Sequence, residues 1–551
     1  MTFFATNPHG LRLNRESLCC IARLFRLQRS GKSQSSKPSG GNCAMSKFVV
    51  LVPVSTLDSL ARKTLEALKN QTFKDWACWL VDESSAKNVA GQLAEALGDD
   101  RIAVAPEGLT TLAKMMNRAI KDSGAEYAVP IPVGVLLNAD ALQKFDAHLE
   151  SNPKCALVYS CYREVDASGK GTDVKVYQHE GAPHERFEFG FVKVYRLSAI
   201  QSVGGFREDL VHAAEYDMEL KLADAMTLEA VDEVLYEAHA DPTAVEESGE
   251  KKSGALHSPG KGKLGGFSYV FYPADLEKEI TSVFEEMLRR RNAWIEHPTV
   301  PVKYPEKPYP VLATVVIPVF NRATFIGNAL DRVLDGTYTE FEIVVVDNGS
   351  KDGTQDVVME YVKKDPRVRL LCQTGPSISF ALNCGIRAAR GKYICQLDSD
   401  DEYKPETLEK MVGHMESHPN CGLAISYYEL MDADRGELPE IPPVTHGGYT
   451  RNQILRRDGA GALRVFPKAV LEEMGLYDEE NFGNFGEDYD MVLKTGEKYD
   501  VDRVHTVLYR YRRHSDNTDV TRDPLMKIQN KNNARLNAMA RRKAINAKAG
   551  K

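Results

Sequence analysis

Asp398-Ser399-Asp400-Asp401 puts three carboxylates within four residues, directly after the apolar run Gly391-Lys392-Tyr393-Ile394-Cys395-Gln396-Leu397. The run reads as a short buried strand. Carboxylates crowded at a strand end cannot all be ionised cheaply without a cation, and hard oxygen ligands suit Mg²⁺ or Mn²⁺ better than zinc. A second reading is a polar turn whose solvated acids cap the next helix, with Lys404-Pro405-Glu406 as its first turn. Upstream, Asp347 ends another apolar run and is followed by Asn348-Gly349-Ser350. Its carboxylate can accept hydrogen bonds from a nucleobase or ribose, and small residues after it let the backbone approach a ligand.

These groups need elements to hold them. Ala313 to Val319 is an apolar strand, followed by a turn and an amphipathic stretch from Phe325 to Leu334. Phe341 to Val346 is the next strand, and a helical segment runs through Tyr361. Strand, loop, helix, repeated, predicts an α/β fold with a mostly parallel sheet covered by helices. Both loops fall at the carboxyl ends of strands, where open α/β sheets bind ligands.

Five segments in order carry a resemblance: Ile317-Pro318-Val319-Phe320-Asn321, Val346-Asp347-Asn348-Gly349-Ser350 with Asp352-Gly353-Thr354, Asn383-Cys384-Gly385-Ile386, Leu397-Asp398-Ser399-Asp400-Asp401, and Gly486-Glu487-Asp488-Tyr489-Asp490. Together they resemble the motifs of family-two glycosyltransferases of the GT-A fold, over residues 311–520. Two positions depart from the family's habit: Arg322 stands where an acid is frequent, and Asn348 where a second Asp is common.

The resemblance implies transfer of a sugar from a nucleotide-diphosphate donor, a UDP-sugar first among them, to an acceptor hydroxyl of a glycan or lipid-linked acceptor, with inversion. Pro318, Phe320, Asn321, Asp347, Asn348, Asp398 and Asp400 would then bind the nucleotide sugar. Asp400, Asp401 and His514 would hold Mn²⁺ or Mg²⁺, offsetting charge on the diphosphate leaving group. Glu487 and Asp488 would supply the base, with Asp488 the choice; the other reading is a helix cap before Tyr489 to Lys498. Arg512 or Arg513 would bind phosphate oxygens, or Arg510 and Arg512 would form the solvated face of an edge strand.

The chain also repeats itself. Phe48 to Val54, Trp79 to Ser84, Met116 to Ile120, Val203 to Phe206 and Tyr216 to Lys221 match segments of the second half at an offset of roughly 265–273 residues, as tandem domains do. The chemistry is not repeated. Pro132-Val133-Gly134-Val135 stands where the acidic cluster should be, and Ala214-Glu215 replaces Glu487-Asp488. The predicted division is a leader (1–46), a degenerate GT-A-like domain (47–245), a loop, helix and Pro-rich connector (246–310), a catalytic domain (311–520) and a basic tail (521–551).

The 551 residues suffice for two or three full cores, and 43% hydrophobic with 27% charged residues is ordinary for soluble protein. A net charge of −8 argues against a nucleic-acid binder. Ten scattered Cys without a C-x-x-C pair fit a reducing cytoplasm and no structural zinc. No apolar run is long enough for a membrane span. Arg541-Arg542-Lys543 and Lys548 in the tail offer peripheral attraction to an anionic membrane, or simply a frayed helix. Asp275 to Ile295 reads as an amphipathic helix, and Glu246 to Gly266 as a loop. Residues 1–46, rich in Arg, Ser and Gly, read as a leader, a transit peptide or an upstream start. Loops such as Glu437 to Thr450 would set specificity. Two other functions stand beside the transferase: a non-catalytic carbohydrate-binding scaffold, and a polysaccharide synthase with two active domains.

Overall fold

A computed structural model describes residues 46–239, 256–259, 267–270, 272–434, 436, 442–445, 449–457 and 461–550. Nearly all of the expected leader, most of the loop at 246–266 and much of the loop at 437–450 lie outside the described residues. The described chain forms two compact units, 46–239 with 272–287, and 256–259 and 267–270 with 288–550.

The first unit runs β1 (Phe48–Val54), α1 (Ser59–Lys69), β2 (Trp76–Asp82), α2 (Val89–Leu97), β3 (Ile102–Val104), α3 (Leu112–Asp122), β4 (Tyr127–Pro130), β5 (Val135–Leu137), α4 (Ala141–Ser151), β6 (Cys155–Val165), β7 (Gly171–Val174), β8 (Lys193–Arg196), α5 (Leu197–Ser202), α6 (Ala214–Ala225) and β9 (Thr227–His239). Its sheet has the order β3-β2-β1-β4-β8-β6-β9-β5, with β7 beside β6. β10 (Leu256–Pro259) and β11 (Phe267–Val270) pair antiparallel.

α7 (Ala274–Arg290) covers most of the helix expected at 275–295. Its Glu279 carboxylate accepts the N–H groups of Val211 (3.1 Å), His212 (2.7 Å) and Ala213 (3.0 Å), which ties it to the first unit.

The second unit continues with β12 (Val311–Val319), α8 (Ile326–Leu334), β13 (Phe341–Asp347), α9 (Thr354–Lys364), β14 (Val368–Cys372), α10 (Ile378–Ala388), β15 (Gly391–Gln396), β16 (Glu402–Tyr403), α11 (Thr407–Ser417), β17 (Cys421–Met431), α12 (Ile454–Arg457), β18 (Arg464–Pro467), α13 (Lys468–Glu473), α14 (Glu487–Gly496), β19 (Asp500–Arg512), α15 (Thr518–Thr521) and α16 (Pro524–Lys548). Its sheet order, β14-β13-β12-β15-β18-β17-β19-β16, repeats the first strand for strand. Even the irregularities recur: β6 breaks register against β9 at Ser160/Cys161, and β17 against β19 at Ser426/Tyr427. The expected architecture of two GT-A-type sheets is what the chain forms.

Both faces of the second sheet are buried, which is why its strands read as continuous apolar runs rather than alternating ones. Val315, Ile317, Ile343 and Val345 join one core with Ile326, Leu330, Met411 and Val412, while Val344 and Val346 pack on Ala381. α10 lies so close that a Cβ at Gly385 would stand 2.5 Å from Val316 Cγ1. Glycine there is a packing requirement.

Two boundaries need correction. The stretch after 288 belongs to the second unit: Val302 packs with Val470 and Tyr499, its N–H donating to Pro419 O at 2.8 Å. The basic tail is not a tail. α16 starts on an Asp523 cap and packs on α14, burying Ala534, Ala538 and Met539. Arg535 donates to Leu455 O (2.8 Å), Arg542 to Asn452 Oδ1 (3.0 Å), and Arg541 to Glu497 (2.9 Å). Of the basic residues read as a membrane-facing run, Arg541 and Arg542 are spent inside the fold, while Lys543 and Lys548 are exposed. Among the described residues, no helix is long and apolar enough to cross a membrane.

Candidate active site

β12, β13 and β15 lie parallel and end at the same edge of the second sheet. That edge receives the candidate residues. β12 loses its β15 partner after Val316↔Gln396, so Pro318 costs that ladder nothing. Pro318 is buried within the strand and acts by shaping it. Phe320, 56% exposed, is a free aromatic face at the strand's end. Asn321 takes the left-handed conformation (φ 53°) and receives Lys351 N–H at 2.8 Å, stitching the two loops together.

Asp347 ends β13. It is fully buried, and its Oδ2 accepts Gly349 and Ser350 N–H (both 3.2 Å) and Gln355 Nε2 (2.6 Å). These bonds build the turn that follows β13. Asn348 is likewise engaged, accepting Gly375 N–H at 2.8 Å.

At the end of β15 the four-residue acidic cluster splits. The Asp398 side chain reaches solvent, yet the protein packed around it withdraws enough water to push its carboxyl up to about 6, helped by the charges of Asp400 and Asp488. Burial works against the charge on Asp400, but the hydrogen bond from His514 and the Arg322 guanidinium outweigh it and hold the carboxyl low. His514 Nε2 lies 3.0 Å and Arg322 Nε 3.4 Å from Asp400 Oδ2, and the His514 ring stacks on Phe325.

Asp401, expected as a metal ligand, is instead turned inward. It is 1% exposed, with Oδ2 accepting Tyr509 O–H and Oδ1 accepting Arg512 N–H, both at 2.7 Å. Burial, then its acidic neighbours, drives its carboxyl well upward. Arg512 is also corrected. It is buried and spends its guanidinium on Asp400 O (2.6 Å), Ala433 O (2.8 Å) and Glu402 (3.0 Å) rather than on a phosphate.

The opposite wall is the start of α14. Gly486 caps it in the left-handed region (φ 92°), which favours glycine. Glu487 is pushed up to about 8, chiefly by burial and then by Asp488, and its Oε2 is buried without a hydrogen-bond partner. Asp488 accepts Arg464 Nη2 at 2.5 Å and its neighbour Tyr489 N–H at 2.7 Å. Asp398 interacts electrostatically with both Asp488 and Arg464, so the acidic cluster and the acidic pair share one site.

Part of the second unit matches known proteins. Residues 314–475 fit the family described as Glycosyl transferase family 2. The second unit carries a family 2 glycosyltransferase domain. An uncharacterized glycosyltransferase of Rickettsia prowazekii (strain Madrid E) is 29% identical over 221 residues, 39% of this chain and 67% of that protein. The chondroitin synthase of Escherichia coli is 28% identical, over 41% of this chain and 33% of its own length. The hyaluronan synthase of Pasteurella multocida is 27% identical, over 45% and 25%. The chain thus spans between a quarter and two thirds of the length of these relatives. Among solved structures, a mannosyltransferase from Pyrobaculum calidifontis, in complex with GDP-Man and Mn2+, is 19% identical with a TM-score of 0.30, over 45% of this chain and 80% of that one, too remote to bear on function.

Within the glycosyltransferase domain, sequence reasoning missed two cations. Arg322 was visible only as a departure from the family pattern, and Arg464 not at all. A signal for Arg464 existed in the internal repeat: Lys193-Val194-Tyr195-Arg196 stands where Arg464-Val465-Phe466-Pro467 does, and Lys193 also pairs with the acid that follows, Glu215, at 3.0 Å.

Proposed function

We propose that the second unit transfers a sugar from a nucleotide-diphosphate donor to an acceptor hydroxyl with inversion, in polysaccharide or glycan synthesis. The observation that supports it most is the convergence of Asp398, Asp400 and His514 with Glu487 and Asp488 on one edge, facing groups from β15, β19 and α14. The relatives named for chondroitin and hyaluronan synthesis point to the same class.

Asp398, Asp400 and His514 are the residues that would hold a divalent cation: Asp400 raises the cost of ionising Asp398, and His514 Nε2 lies 3.0 Å from Asp400 Oδ2. Asp401 does not fit, since both its oxygens are taken. When bound, Mn²⁺ or Mg²⁺ would offset charge on the departing diphosphate. The chain's own residues do the rest. Phe320 offers a flat face at the donor end. Asp488 takes the acceptor's proton as the oxygen attacks the anomeric carbon and the bond to the diphosphate breaks. Arg464 orients Asp488 through their hydrogen bond, while Glu487, holding its proton at neutral pH, adds no second negative charge beside it. The first unit, lacking acids at 132–135, is a non-catalytic copy.

A panel of nucleotide sugars with Mn²⁺ tests this. One donor should bind and turn over, with product of inverted anomeric configuration by NMR. Asp488→Asn should keep donor binding and lose roughly 10²- to 10⁴-fold in kcat. Absence of metal-dependent binding for every donor would overturn the reading in favour of a binding scaffold.

A further inference from the structure

The edge of the second sheet opposite the acidic site holds a different cluster. β17 runs antiparallel to β18 and β18 antiparallel to β15, so β17 begins where β15 begins, away from Asp398. Cys421 opens β17, Asp502 lies near the start of β19, and His414 and His418 stand four residues apart at the end of α11. His414 Nε2 and Asp502 Oδ2 are 3.1 Å apart, and the two imidazole rings stack at 3.9 Å. The ligand atoms of His414, His418 and Asp502 all lie within 4.8 Å of one another. The buried Cys421 thiol lies 3.5 Å from Met415 Sδ and feels the charge of the same Asp502.

The orientation of His418 is informative. Its Nδ1 lies 2.8 Å from His414 O and 3.0 Å from Ser417 Oγ; the carbonyl, the nearer of the two, only accepts, and the tautomer that satisfies it puts the proton on Nδ1 and leaves Nε2 its lone pair. An imidazole held by a backbone carbonyl on one nitrogen, with the other bare, is the arrangement of metal-bound histidines.

The first unit supplies an independent observation. His148 in α4, Cys155 opening β6 and Glu229 near the start of β9 occupy the matching places, with ligand atoms again within 4.8 Å and His148 Nε2 2.8 Å from Glu229 Oε2. The two copies have diverged at every acid of the 398–401 cluster but keep the imidazole, thiol and carboxylate here. Where the second copy has His418, the first has Asn152, whose Nδ2 donates to His148 O at 2.9 Å. The helix-ending bond is common to both; the second copy adds a free nitrogen. A plain His–carboxylate ion pair would require neither the thiol nor that nitrogen.

We propose that His414, His418, Cys421 and Asp502 form a site for a zinc-type divalent metal, distinct from the donor site, that staples the end of α11 to the starts of β17 and β19. Two imidazoles, a thiolate and a carboxylate are a borderline-soft tetrahedral donor set, unlike the oxygen-rich site on the other edge. The side chains of His414 and Asp502 are 18% and 28% exposed, which leaves a way in. Binding would release the thiol proton of Cys421 to solvent and form a metal–sulfur bond, so affinity should rise with pH.

The test is Co²⁺ titration of the full chain, stripped with a chelator, in a Cys155→Ser background that silences the first copy. One equivalent should give tetrahedral visible bands and a near-ultraviolet thiolate-to-cobalt band, both displaced by Zn²⁺. Cys421→Ser should abolish the thiolate band. His418→Ala, at an exposed position where folding is not at stake, should weaken binding at least about tenfold, whereas Asp400→Ala should leave the band intact. No thiolate band, a band that survives Cys421→Ser, or affinity unchanged in His418→Ala would overturn the proposal.

Discussion

The two units have one topology and opposite treatments of charge at the strand ends. In the second, β15 runs into Asp398 and Asp400, and Arg464 faces Asp488 across the sheet edge. In the first, β4 runs into Pro132-Val133-Gly134, and the matching cation, Lys193, is enclosed between Glu215 (3.0 Å) and Glu219 (2.6 Å). Burial opposes the charge on Lys193, yet the two carboxylates outweigh it. The first copy therefore closes its cation–acid pair into a self-satisfied core cluster, while the second leaves Asp398 open to solvent and Glu487 Oε2 without a hydrogen-bond partner. A sheet edge becomes a site when it keeps charges that the fold itself does not neutralise.

Activity should break this comparison hardest if it is wrong. Asp400→Ala should cost transfer on the order of a thousandfold in steady-state assays, while Glu215→Gln should leave it within about twofold. Comparable losses from both would mean that the first copy is catalytic.

Stability comes next. Lys193→Met strands the buried carboxylate of Glu219 beside the partly exposed Glu215 and should destabilise the first unit by about 2–4 kcal/mol in urea unfolding. A near-neutral result would show that the cluster is not internally balanced.

Gly385→Ala sharpens the contrast at a smaller scale. The added methyl meets Val316 and Val346 and should cost the second unit about 1–3 kcal/mol. The first copy already carries Ala119 at this place, buried between its helix and sheet, so the same backbone accommodates a methyl where the facing side chains allow it.

The smallest effect concerns pH. Glu487 is pushed from 4.5 up to about 8, chiefly by burial. Between those values the folded state keeps a proton that the unfolded chain has lost, so its contribution to stability declines as pH rises through that window. Glu487→Gln should flatten this decline, gaining on the order of 1–2 kcal/mol near pH 8 after allowance for partial exposure. Melting temperature against pH reads it directly, and unaltered slopes would mean that Glu487 ionises normally.

Much of this was legible beforehand. Runs such as Phe341 to Val346 are apolar at every position because both faces of the sheet are covered, and the internal offset exposed the duplication. The site was legible as a neighbourhood: Asp398, Asp400, His514, Glu487 and Asp488 do meet. Their roles were less so. Asp401 is adjacent to Asp400 in sequence, but successive side chains at a strand end point apart, and Tyr509 and Arg512 claim the inward one. Arg512 looked solvated because nothing local revealed Glu402 buried beside it. The run at 535–548 looked like a loose basic end because its partners, Leu455, Asn452 and Glu497, lie 44 or more residues away.

By itself the sequence determined the fold class, the doubling and the residue types at the strand ends, since hydrophobic periodicity and repeat offset are properties of the chain read in order. Tertiary structure alone decided which carboxylates face solvent and which are absorbed, that Arg464 meets Asp488, and that His414, His418, Cys421 and Asp502 converge. Charge balance and ligand geometry depend on which distant groups come within a few ångströms, and that is settled only when the strands pair and the helices pack.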